Sequence, residues 1–153
     1  MGVNNNNVDQ AVRALYKDRG EWRRIENAKT IIGPPYIKAG LQREYVQCIS
    51  DLDHCRLIRN QYARCQWYYT ASEGLCFIDL EGLAKQSTNI AALTPGRLPV
   101  DIVLLSNQEQ FFKYVQKCLW YLAEQHSLSQ QMPPKPNPLW SWPGSMTRPP
   151  LHN

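Results

Sequence analysis

The stretch LQREYVQCISDLDHCRLIRNQYARCQWYYT, residues Leu41 to Thr70, decides how the chain is read. Leu41, Tyr45, Cys48, Leu52 and Cys55 recur at spacings of four and three, and Ile58, Tyr62, Cys65 and Tyr69 continue after one slip of phase. That is an apolar stripe of helical period, flanked by Arg, Gln and Asp. Val46 and Ile49 widen it, so the helix should meet more than one neighbour. About thirty residues of helix would span roughly 45 Å, which suits a bundle or a strut.

Working outward, the rest of the chain also reads as mostly helix. Asn7 can cap a first helix over VDQAVRALYKDRG, with Val8, Val12 and Leu15 on one face. EWRRIENAKTII continues in loose helical register with Trp22, Ile25 and Ile32. GPPYIKAG, residues 33–40, reads as an extended connector, because Pro34 and Pro35 oppose a helix running through them. SEGLCFIDLEGLAKQ, residues 72–86, reads as a short helix after a turn at Gly74, and TPGRLP, residues 94–99, as a loop. VDIVLL, residues 100–105, fits a short strand or the lead into a helix. Ser106 with Glu109 forms a capping box that would start a last helix ending near His126, with Phe111, Val115, Cys118 and Leu122 on one face.

The expected fold class is therefore mainly α: a small helical bundle with one long helix and extended arms at both ends. Residues 1–7 form an Asn-rich arm, 8–131 the helical domain, and 132–153 a Pro/Trp-rich arm.

Composition narrows the function classes. A chain of 153 residues can bury a core, and 43% hydrophobic with 20% charged residues is close to globular usage. No run approaches the roughly 18 apolar residues of a membrane span, so membrane contact is expected to be peripheral or through partners. The net charge of +4 leans toward the N-terminal third, but Asp9, Asp18, Glu21 and Glu26 interleave with the basic residues. This mixed pattern reads as a solvated helix face rather than a nucleic-acid stripe. The N-terminus has no apolar core of a secretory signal, and Asn6 stands where a myristoylation motif wants Ser or Thr.

Chemistry-bearing patterns are few. No phosphate-binding loop, dinucleotide fingerprint, nucleophile elbow or H-E-x-x-H occurs, so no catalytic residue, metal ligand or cofactor is assigned and no enzyme activity is expected. Cys48, Asp51, His54 and Cys55 cluster on one helix without the close pairs of structural zinc sites. The five cysteines, Cys48, Cys55, Cys65, Cys76 and Cys118, are candidates for disulfides or for buried thiols acting as small hydrophobes. Cys55 and Cys65 enclose nine residues. This C-x9-C spacing resembles one half of the twin-cysteine helical hairpins of the mitochondrial intermembrane space. Several members of that family are accessory subunits or assembly factors of respiratory complexes. The resemblance implies a place on the intermembrane-space side of the mitochondrial inner membrane; without it the chain would be read as cytoplasmic.

The last segment, MPPKPNPLWSWPGSMTRPP, holds seven prolines between Pro133 and Pro150. It should be extended. Either it folds back over its own helices or it lies along another protein. Pro133, Pro134, Pro136, Leu139, Trp140 and Trp142 are the candidate partner-binding residues, proline lowering the ordering cost and tryptophan anchoring in pockets. Taken together, the sequence predicts a non-catalytic accessory subunit of a large assembly, best placed in a mitochondrial respiratory-chain complex, with other protein subunits as partners. Two other classes remain: a soluble adaptor whose P-x-x-P tail recruits an SH3-like domain, and a ribosomal-type subunit binding nucleic acid through its basic N-terminal helices.

Overall fold

A computed structural model describes residues 13, 20–80, 85, 98–130 and 141–152. Its element order is α1 (Glu21–Lys38), α2 (Gln42–Ala63), β1 (Cys65–Thr70), β2 (Gly74–Asp79), β3 (Leu98–Pro99) and α3 (Ile102–Ser129). The protein is mainly helical, with a small antiparallel sheet ordered β1-β2-β3 that the sequence reading did not expect. The expected N-terminal arm and the Asn7-capped helix lie outside the described residues, except that Arg13 is helical.

Backbone contacts divide the chain into two compact units: residues 1–49 with 118–142, and residues 50–117 with 143–153. In the first unit, α1 runs through Pro34 and Pro35 instead of stopping before them. Each proline withholds one backbone donor, but the flanking turns keep the helical path. The helix ends in a Schellman motif, with Leu41 N–H donating to the Tyr36 carbonyl, Gly40 N–H to that of Ile37, and Gly40 at φ +78°. Gly33 is buried, and a Cβ there would stand 3.4 Å from the Tyr45 hydroxyl. The Tyr45 ring stacks on Tyr36 at 5.4 Å, and its hydroxyl donates to the Lys29 carbonyl. Tyr45, Cys48, Cys118 and Leu122 are buried in this unit.

In the second unit the helical period of residues 41–70 breaks at Ala63. Cys65 and Tyr69 kept the four-and-three spacing, yet they belong to a hairpin. The run QWYYT is aromatic and ends in a β-branched residue, which favours strand over helix. Cys65 pairs with Asp79 and Thr70 with Gly74 across a three-residue loop, Ala71 to Glu73. Gly74 sits at φ +74°, the left-handed position such a loop needs, and the Thr70 hydroxyl accepts from Glu73 N–H. Residues 74–79 of the expected second helix are therefore strand β2. β3 adds two residues, Phe77 opposite Leu98 and Cys76 opposite Pro99.

The last helix starts one turn before the expected capping box. Asp101 Oδ1 accepts from Val103 and Leu104 N–H at 2.9 and 3.0 Å, so Asp101 is the N-cap and Ser106 lies inside the helix. Twenty-eight residues make α3 the longest described helix, about 42 Å. The core of this unit holds Cys55, Ile58, Cys76, Phe77, Phe111, Tyr114 and Val115.

Candidate functional site

Three buried polar side chains stand out among the described residues: Asp51, Gln108 and His152. A buried polar group must find partners or cost several kcal/mol. Here all three meet in one place, the C-terminal segment 143–152 lying on α2 and α3 within the second unit.

The segment has no regular secondary structure. Its prolines lack N–H groups, so Pro149 and Pro150 have only carbonyls to satisfy. His54 Nε2 lies 2.7 Å from the Pro149 carbonyl, and since a carbonyl only accepts, that nitrogen carries the proton. Gln108 Nε2 donates to the Pro150 carbonyl at 2.9 Å. Gln61 then pairs with both backbone groups of His152, accepting from its N–H at 2.9 Å and donating to its carbonyl. The His152 imidazole is itself an acceptor: Asp101 N–H donates to Nε2 at 3.0 Å, while Nδ1 is buried without a hydrogen-bond partner among the described residues. Phe77 meets the ring edge to face at 4.8 Å.

The charged part of the contact is Arg148. Its Nε donates to Asp51 Oδ1 at 2.9 Å and its Nη2 to Ser50 Oγ at 2.6 Å. Asp51 is fully buried, while the Arg148 side chain is 42% exposed, so the pair is desolvated mainly on the acid side. The Tyr114 hydroxyl is 3.3 Å from Asp51 Oδ2 and 3.0 Å from the Gly144 carbonyl, and shares its one proton between them. Donors and acceptors from α2 and α3 thus read the segment from Gly144 to His152.

Beside this contact lies an open hollow of about 570 Å³, lined by Ile58, Tyr62, Trp67, Leu105 and Phe112 among others. The Tyr62 hydroxyl donates to Gln108 Oε1 at 2.8 Å, and Trp67 Nε1–H to the Tyr62 carbonyl at 3.3 Å. Burial raises the Tyr62 hydroxyl pKa, against a lowering by the Gln108 bond. The polar atoms of Tyr62, Gln108 and Trp67 are thus engaged, and the hollow offers mainly apolar and aromatic surface.

All five cysteines are thiols. Cys48, Cys55, Cys76 and Cys118 are buried and Cys65 is half-buried. Burial, reinforced by the Asp51 charge, pushes the Cys55 thiol up to about 11, which keeps it protonated and poorly nucleophilic at neutral pH. Cys55 lies on α2 and Cys65 on β1, where its thiol donates to the Gln61 carbonyl at 2.8 Å. No group of three or more His, Cys, Asp or Glu positioned for a metal occurs among the described residues. No described helix is long and apolar enough to cross a membrane.

Of the candidate partner-binding residues, Pro133, Pro134, Pro136, Leu139 and Trp140 lie outside the described residues. Trp142 is half-buried and packs edge to face on Tyr121, ring centres 5.4 Å apart. The sequence reading missed Asp51, Gln61, Gln108, Arg148 and His152 as a set. One signal for it was present: Asp51 falls three residues after Cys48 and four before Cys55, on the buried stripe itself, where a carboxylate requires a cation.

No protein-family model matches the chain, and no curated protein or solved structure matches it either.

Proposed function

We propose that this protein is a non-catalytic structural accessory subunit of a large multiprotein complex, its helical body a small bundle. The observation that carries this reading is the amount of large apolar side chain left in solvent. On α1 these are Trp22, Ile31, Ile32 and Ile37, between 39% and 57% exposed. On the first turn of α3, Ile102 and Val103 are 69% and 70% exposed. Single exposed apolar residues are ordinary, but several on one helix suit a surface meant to be covered by protein. The assembly we propose is a mitochondrial respiratory-chain complex, on the strength of the C-x9-C resemblance.

The test is the native size of the endogenous protein. Gentle solubilisation, native electrophoresis and detection of this chain should place it in a membrane complex of several hundred kilodaltons or more. Migration near its own 17.7 kDa would reject the subunit reading, and a large complex outside mitochondria would reject the setting alone.

A further inference from the structure

We propose that the cleft between residues 50–61 of α2 and residues 101–114, the N-cap and first turns of α3, is an exchangeable tail-binding site, and that a second copy of this chain can fill it with its own residues 143–152. This does not rest on the subunit reading.

Three observations point there. First, the cleft is built for an extended peptide. Asp51 and Gln108, the buried polar side chains that the cleft itself contributes among the described residues, both bond to the segment. His54, Gln61 and Tyr114 add bonds to its backbone. An extended chain with few donors of its own is what such a row of side chains recognises. Second, these bonds run from side chains of the two helices to the segment, so they ask nothing of the covalent path from α3 to the tail. A tail from another copy would make the same bonds, and exchange of identical elements is a low-cost route to dimers. Third, thirteen residues, Gln130 to Trp142, separate α3 from the segment and include four prolines. Thirteen residues can reach at most ~47 Å, room for the tail to leave its own cleft for a neighbour's.

The specificity of the cleft sits on Arg148. Its guanidinium meets the buried Asp51 carboxylate, and a segment lacking that cation would remove a charge-assisted bond from a buried carboxylate. The connected tail competes at an effective concentration on the order of millimolar, so exchange is favoured when two copies are held together or the tail's own contact is weakened.

The experiment uses full-length chains. An Arg148→Ala chain keeps an intact cleft but a weakened tail. A labelled peptide of residues 143–153 should bind it saturably and raise its unfolding midpoint, while the same peptide carrying Arg148→Ala should bind at least ~10-fold more weakly. Mixing the Arg148→Ala chain with an Asp51→Asn chain, whose tail is intact, should then yield a species near twice 17.7 kDa by light scattering. Absence of peptide binding to a folded Arg148→Ala chain would overturn the exchangeable site. Peptide binding without the mixed dimer would overturn the second copy as its occupant. Should Arg148→Ala fail to fold, the wild-type chain with a protease site between Met132 and Trp140 replaces it. After cleavage the labelled peptide should displace the nicked tail, and retention of that tail without exchange would overturn the proposal.

Discussion

The two units are held by different chemistry. The first buries Tyr45, Cys48, Cys118 and Leu122 and adds ring contacts of Tyr36 with Tyr45 and with His126. The second also has an apolar core, but the described buried polar side chains all fall in it, at the tail. Apolar and aromatic packing is graded, since removing one contact leaves the others. A buried polar network is nearer to all or none, because each lost partner strands a group in a low-dielectric site. Among the described residues, the second unit therefore depends on a short C-terminal segment in a way the first does not.

The largest expected effect lies in the second unit's core. Phe77 is fully buried and touches the rings of Tyr62, Trp67 and His152. Phe77→Ala should cost about 3–5 kcal/mol, read from urea unfolding, and should also loosen the tail because His152 loses its ring partner. Arg148→Ala comes next, at about 2–4 kcal/mol, somewhat below a fully enclosed pair because the arginine is part-exposed. Adding Asp51→Leu to Arg148→Ala should recover at least half of that loss, since the stranded charge is gone. A cost under about 0.5 kcal/mol for Arg148→Ala would mean the pair acts like a surface ion pair, and the contrast between the units would collapse.

The first unit should respond more mildly. Tyr45→Phe keeps the stack on Tyr36 and removes the bond to the Lys29 carbonyl. Its expected cost is about 0.5–1.5 kcal/mol, and a loss as large as that of Arg148→Ala would show polar dependence in both units.

The thiols give an effect that is absent at neutral pH. The folded chain holds the Cys55 proton up to about 11, while the unfolded thiol releases it near 9.0. The unfolded state then binds fewer protons, so stability falls as pH rises through that window and is unaffected below it. Unfolding midpoints at pH 8 and pH 10 should differ, and Cys55→Ala should reduce the difference. In alkylation of the native chain at pH 8, mapped by mass spectrometry, half-buried Cys65 should react first and Cys55 should remain unmodified.

What was legible follows from how local each signal is. The helical period of residues 42–63 and of 111–122 was readable because an amphipathic helix repeats within a few turns. The hairpin was misread because Tyr62, Cys65 and Tyr69 happen to keep a four-and-three spacing across the end of α2. The aromatic run before Ala71-Ser72-Glu73-Gly74 was the competing strand signal, and it won because its partner run, Leu75 to Ile78, follows at once. Pro34 and Pro35 were read as a stop on local cost alone. That cost was outweighed in place, where α1 presents buried Gly33 beside Tyr45.

The candidate site was less legible. Its contacts join residues 30 to 98 positions apart, from Tyr114 with Gly144 to Arg148 with Ser50. No window of sequence contains both partners. The sequence by itself determined a mainly helical chain, a proline-rich end with few backbone donors and the lack of local catalytic motifs, because periodicity, missing backbone donors and motif spacing are local properties. Tertiary structure alone decided where Asp51, Gln108 and His152 find their partners. Burial creates the demand for a partner, and only the fold brings one within hydrogen-bonding distance.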